Sequence, residues 1–177
     1  MRRSSFFLFL LLPLLVLNSC QKIQGESFDA FSGAFVCEYS YTDGGELYRV
    51  KLWAGDIDND GERNVTLSFI EPDTLEGIEC KLIAGEYTVS CGDVLISGVP
   101  ARAFFSTAEP LLHGTRAEFC EVSELDGRRA ERFKISHENG DVYVYVDGNT
   151  ELPMAIVSRW KTKDIKLNII SFERKEK

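Results

Sequence analysis

From Phe35 onward the chain is a succession of short segments in which apolar and polar residues alternate. Phe35, Cys37, Tyr39 and Tyr41 fall on one side of the first, and Tyr48, Val50 and Leu52 on one side of the next, with Arg49 and Lys51 opposite. Successive side chains of a strand point to opposite faces, so a period of two predicts strands that turn one face to a core. Residues 65–71, 79–83, 87–91 and 94–96 continue the series, followed by 117–124, 129–136, 142–146, 154–160 and 165–172. Asp43-Gly44-Gly45, Gly85-Glu86, Asp126-Gly127, Glu138-Asn139-Gly140 and the run 161–164 separate neighbours. Short strands at regular spacing with tight turns predict an antiparallel sheet or barrel. Two stretches break the rhythm. Residues 72–77 read as a brief turn. Residues 100–113 read as a helix, with Pro100 at its first position, Gly114 at its stop and Pro110 breaking it. The expected fold class is mainly β with a few short helices, the broken helix covering one face. Val142-Tyr143-Val144-Tyr145-Val146 is apolar on both faces and asks for cover on both.

The start of the chain follows another pattern. Arg2 and Arg3 precede an apolar run over 6–16, interrupted only by Pro13, and Leu17-Asn18-Ser19-Cys20 closes it. Spanning a bilayer takes about 20 apolar residues, so this run is short for that purpose. Charge, apolar run and a small residue before a cut are the layout of a secretory signal. Its ending resembles the lipobox of bacterial lipoproteins, with Leu17 three places before the cysteine and Ser19 directly before it. That resemblance implies cleavage between Ser19 and Cys20, a diacylglycerol thioether on Cys20, an N-acyl chain as a further addition, and anchoring to a membrane. Residues 1–19 are then a lipoprotein signal peptide, 20–32 the lipidated cysteine with a tether, and 33–177 a single β domain. The expected location is outside the cytoplasm, on the outer face of the cell membrane or on an envelope membrane.

Charge narrows the partners. The whole chain carries a formal net charge of −8, and losing Arg2 and Arg3 takes it to −10. Such a balance argues against nucleic acid and against adhesion to anionic lipid. It leaves binding of an acyl chain in an apolar concavity open. The 44% hydrophobic and 27% charged composition is that of an ordinary globular protein.

Phe69, Pro72, Leu75 and Gly77 set out the spacing F-x-x-P-x-x-L-x-G at the end of one strand, ahead of the Tyr87 hairpin, the helical segment and a long meander entered at its end through Leu152-Pro153. This order resembles the LolA-like lipoprotein-carrier superfamily over about residues 28–172. The resemblance implies a curved, half-open antiparallel barrel with a helical plug or lid in its mouth. It also implies binding of acyl chains or lipidated partners in the concavity, or service as an envelope or spore-associated lipoprotein. Small lipid-anchored germination lipoproteins of clostridia are similar in layout. The dedicated carrier is soluble, whereas lipid on Cys20 would fix this chain in place. The superfamily has no catalytic residues to carry over.

Local motifs add candidates. Cys37, Cys80, Cys91 and Cys120 remain after Cys20, an even count that permits disulfides in an exported chain. A turn at Gly85-Glu86 would set Cys80 directly opposite Cys91, which makes them the geometric candidate for a bridge. Cys37 with Cys120 follows only by elimination, and four buried thiols are the other reading. Asp56-Ile57-Asp58-Asn59-Asp60-Gly61 matches the first half of a calcium loop, with Asp56, Asp58 and Asp60 as oxygen ligands. Leu67 stands where the closing glutamate belongs, so the choice is between a weak calcium site and an acidic turn. His113 and His137 have no nucleophile at a recognisable spacing. Asn64-Val65-Thr66 fits a glycosylation sequon that a bacterial lipoprotein would leave bare. Trp53, Tyr143, Tyr145 and Trp160 read as core more than as pocket. The expected function is non-catalytic binding of an acyl chain or an envelope protein through the concave sheet face, with no cofactor beyond lipid on Cys20 and weak calcium. The alternative is a scaffold in a surface or spore-germination complex with no small-molecule ligand.

Overall fold

The computed structural model describes residues 27–29, 31–58, 62–97, 105, 108–112, 116–137, 140–160 and 163–175. The signal, Cys20, residues 21–26, Asp60, Pro100 and His113 lie outside the described residues.

Twelve strands form one sheet, antiparallel throughout. They are β1 (Ser27–Phe28), β2 (Phe35–Asp43), β3 (Glu46–Ala54), β4 (Val65–Glu71), β5 (Ile78–Ile83), β6 (Glu86–Cys91) and β7 (Val94–Ser97), then β8 (Ala117–Leu125), β9 (Arg128–His137), β10 (Gly140–Asp147), β11 (Pro153–Trp160) and β12 (Lys163–Arg174). Their spatial order is β1-β8-β9-β10-β11-β12-β2-β3-β4-β5-β6-β7. Two meanders, β2 to β7 and β8 to β12, are therefore sewn together where the last strand lies beside the second. The hairpins follow the turn residues. Asp43 faces Glu46 across Gly44-Gly45, and both glycines have positive φ, as a two-residue turn matching strand twist requires.

The sheet is open and curved. Four one-residue bulges help to bend it, because an extra residue raises local twist. They fall at Ile70, Cys120, Met154 and Ile170, each skipped in the pairing. The bulge at Ile170 has a visible effect. Leu167, Ile169 and Phe172 share the inner face although their spacing breaks the alternation, because the register slips between Ile169 and Ser171.

The core is that inner face. Phe35, Cys37 and Tyr39 of β2, Val50, Leu52 and Ala54 of β3, and Val65 and Leu67 of β4 are fully buried. Ile135, Val144, Ile156 and Leu167 extend it through the second meander. Each large apolar side chain so buried stabilises the fold by about 1.5–3 kcal/mol. The chain leaves β7 at one edge of the sheet and re-enters at β8 beside the other edge. The link between them brings Phe105, Ala108, Leu111 and Leu112 into the core.

Three expectations change. The helical plug is not supported: among the described residues of that link, helix is confined to Phe105 and one short piece, α1 (Glu109–Leu112). Pro110 sits in its first turn, where a missing N–H costs nothing. Next, Ser27, Phe28 and Phe31, within the 20–32 span read as tether, belong to the fold, since β1 pairs with β8 and both phenylalanines are buried. Finally, the outer face of β10 needs no layer over it. Tyr143 and Tyr145 lie there half-buried, the Arg132 guanidinium stacks 4.9 Å from the Tyr143 ring centroid, and Lys134 pairs with Asp141 at 2.8 Å. Trp53 is likewise exposed on the outer face, and so is neither core nor pocket.

Candidate functional site

Three places on the molecule could meet a ligand: the inner face, a cleft at one end of it, and the β5–β7 end of the sheet. The middle of the inner face is closed by the protein's own side chains. Phe31, Phe35, Tyr39, Leu52, Leu67, Phe105, Leu111, Ile156 and Leu167 have almost no accessible surface. A cavity wide enough for an acyl chain would expose its walls, so these residues do not line one. Rings fill the space beside β1: Phe28 packs against Phe31 and Phe133, and Phe31 against Phe35 and Phe172, at centroid distances of 5.4–5.8 Å.

A half-open cleft of about 390 Å³ lies next to this cluster, lined by Ser27, Phe28, Asp29, Glu131, Phe133, Val146, Asp147, Gly148, Glu151 and Arg174. Its floor is apolar, but its walls hold four carboxylates and one guanidinium. That lining does not suit a hydrocarbon chain. Asp147 is a structural member of it. Its Oδ1 accepts the N–H groups of Asn149 (2.8 Å) and Thr150 (3.1 Å), and these bonds hold its carboxyl below the ordinary aspartate range.

The β5–β7 end is different. Cys80 is buried, Ile78, Leu82, Tyr87 and Val89 are half-buried, and Ile83, Val94, Leu95 and Ile96 are 49–68% exposed. The register carries the core row Leu52, Leu67, Cys80 and Val89 outward to Ile96. The inner apolar face thus runs out to an edge strand that, among the described residues, has no neighbour on its far side.

The cysteines among the described residues are free thiols, Cys37 and Cys80 buried, Cys91 and Cys120 exposed. The hairpin between β5 and β6 turns at Ala84-Gly85, which sets Ile83 against Glu86, Cys80 against Val89 and Cys91 against Ile78. The directly facing pair expected from a Gly85-Glu86 turn is therefore absent. Asn64 explains the shift, because its Oδ1 accepts the Ala84 N–H at 3.2 Å and holds Ala84 at φ 48°. Cys37 and Cys120 lie on β2 and β8, five strand steps apart and so about 24 Å along the sheet. A disulfide needs its Cα atoms within about 7 Å. Burial pushes the thiol of Cys37 up to about 12 and that of Cys80 up to about 11, so both stay protonated.

In the β3–β4 loop the acidic residues bond backbone. Asp56 Oδ1 accepts the Ala34 N–H at 3.1 Å, and Asp58 Oδ1 accepts the Glu62 N–H at 2.9 Å. Among the described residues no group of three His, Cys, Asp or Glu is gathered to hold a metal ion. The same loop contains a residue that sequence reasoning missed. Arg63 is 5% exposed, donates from Nη2 to the Phe31 carbonyl at 2.5 Å, and stacks 5.5 Å from the Phe35 ring centroid. Its Nε and Nη1 have no hydrogen-bond partner among the described residues. Burial lowers its affinity for the proton, and Asp56 opposes that shift. Arg63 clamps the 31–35 segment to the sheet. No spacing in the sequence marks it, whereas the bare β7 edge had a signal in Val94-Leu95-Ile96, three apolar residues in a row without a charge.

No family model matches the sequence, and no curated protein matches it. Solved structures do. An uncharacterized conserved protein from Thermus thermophilus is similar over 93% of this chain and 88% of that one, with a TM-score of 0.50 and 12% identity. MucB is similar over 84% of this chain, with a TM-score of 0.51 and 12% identity. The likeness is one of fold. This chain spans 55% of MucB, about half its length. A LolA superfamily protein from Nitrosomonas europaea also matches, with a TM-score of 0.45 and 9% identity over 82% of this chain and 88% of that one. The single curved antiparallel sheet is the architecture that the LolA-like resemblance implied.

Proposed function

We propose that this chain is an exported, non-catalytic binding protein, tethered to a membrane through lipid on Cys20, whose ligand is another protein. One observation supports the choice of ligand above all: the middle of the sheet's inner face is filled by the chain's own side chains, Phe31, Phe35, Tyr39, Leu52, Leu67, Ile156 and Leu167 among them. An acyl chain would have to displace phenylalanines that each contribute several kcal/mol, since truncating a buried Phe costs about 3–5 kcal/mol. A protein partner can use surface that is already open. The net charge of −8 favours a partner of opposite charge over an anionic membrane surface. MucB, similar in fold, has been crystallised in complex with MucA.

Protein recovered from its native membrane and examined by native mass spectrometry is expected to bear no non-covalent lipid. It should also fail to bind a dansyl fatty acid saturably. Saturable binding, with co-purified lipid, would replace this reading by the acyl-chain one. The anchor is tested separately: Cys20→Ala is expected to leave the protein uncut at its normal site and without incorporated fatty acid, and unchanged processing with fatty acid still incorporated would remove the tether from the proposal.

A further inference from the structure

The two ends of the sheet do not finish alike, and among the described residues the β7 end lacks every device that keeps an edge from pairing. Edge strands are ordinarily blunted by charges, proline, bulges or a covering element. Val94-Leu95-Ile96-Ser97 has no charge, no proline and no bulge, and its three large side chains are 60%, 68% and 49% exposed. Both faces of the strand are bare, since Ile96 continues the inner row and Leu95 the outer one. The hairpin closes on Cys91 and Val94 around a two-residue turn, which makes that pair a hydrogen-bonded one. Leu95 and Ser97 consequently turn their N–H and C=O groups away from β6, toward the open side.

The surroundings specify the occupant. Between Glu71 and Ser97 the chain has six carboxylates and one lysine. That Lys81 is already paired with Glu79 at 3.0 Å, while Glu86 and Asp93 stand exposed at the turns flanking β6. We propose that β7 accepts an extended segment of a partner protein as a thirteenth strand, with small apolar side chains at alternate positions and basic residues at its ends. Backbone bonds to Leu95 and Ser97 would supply affinity, the apolar rows would set register, and the carboxylates would select basic flanks. A second copy of this chain is the poorer occupant, because each copy brings a net charge of −8. The inference rests on the protein-binding reading and assigns its surface.

The test uses the full chain in mild detergent and a fluorescein-labelled peptide in which valine and threonine alternate between terminal lysine pairs. A peptide with its central valine replaced by proline is the control, since proline cannot donate to a ladder. Saturable anisotropy binding of the first peptide is expected, at least tenfold tighter than the control, with slowed hydrogen exchange confined to 94–97. Leu95→Lys is expected to weaken it at least tenfold and Leu95→Glu less. No binding, or binding that both variants leave unchanged, would overturn the assignment of β7. Sedimentation that reveals a dimer dispersed by Leu95→Lys would give the edge to a second copy instead. The broader reading fails by a different result, saturable fatty-acid binding, which leaves the peptide outcome free to fall either way.

Discussion

The edge at β8 and the edge at β7 solve one problem in opposite ways. At β8 the strand is acidic, with Glu118 and Glu121 on the outer face and Glu124 on the other, a bulge at Cys120, and the two-residue β1 paired with its first two residues. Phe28 and Phe31 hold that cover in place, and Arg63 ties the Phe31 carbonyl to the sheet. At β7 there is only apolar side chain and open backbone. The lesson is that one sheet can be guarded at one end and left receptive at the other, and that the guarding depends on a few residues outside the strands.

The contrast can be broken most strongly at the cover itself. Phe31→Ala is expected to cost about 3–5 kcal/mol in urea unfolding, because a buried ring is lost from its contacts with Phe28, Phe35 and Phe172. The β8 edge should then exchange its amides faster while β7 is unchanged. A loss below about 1 kcal/mol would mean that the cover does not hold the edge. Arg63→Ala is the next largest, about 1–3 kcal/mol, since it leaves the Phe31 carbonyl buried without a donor. Arg63→Met, which keeps the packing on Phe35 and removes the buried charge, should recover part of that loss.

The thiols sharpen the contrast through pH. Cys37 and Cys80 are raised in the folded state, so folding favours their protonated forms. Their contribution is fully present below the unfolded thiol value of about 9 and is lost as pH rises toward 11 and 12. Stability should therefore fall with rising pH in that window, and Cys37→Ala with Cys80→Ala should flatten the fall. Iodoacetamide at neutral pH should label Cys91 and Cys120 in the native protein and reach Cys37 and Cys80 only on unfolding. A protected Cys91 would show the β7 end to be covered. The smallest effect on stability is expected at the bare edge: Leu95→Lys should change unfolding by no more than about 0.5 kcal/mol.

Most of the sheet was legible from alternation. Eleven of the twelve strands fall where they were read, most clearly β2, β3, β4 and β10, whose inner residues are buried and whose alternate residues are less so. β1 was not legible, since two residues are too few to show a period and their burial depends on a distant β8. The Ala84-Gly85 turn was misread for a similar reason: Asn64, twenty residues away, fixes it. Of the helix read at 100–113, Phe105 and Glu109–Leu112 are helical among the described residues, but their packing against the inner face is something those residues do not announce. The carboxylates of Asp56 and Asp58 resembled ligands because backbone N–H groups and metal ions attract the same oxygens. Val94-Leu95-Ile96 was readable as a strand, but its position at a bare edge emerges only once the strand order is known.

The position of β12 has a consequence for how this protein comes into being. The last of the described strands is a central one, pairing Phe172 with Cys37 and Ile169 with Tyr39. Each meander can zip up from neighbours in sequence, but the seam between them joins residues more than a hundred positions apart, a slow kind of contact to form. A chain still emerging from a ribosome or a translocation channel would hold two half-sheets and two extra raw edges. Only release of β12 lets them fuse, so the seam closes in one late step.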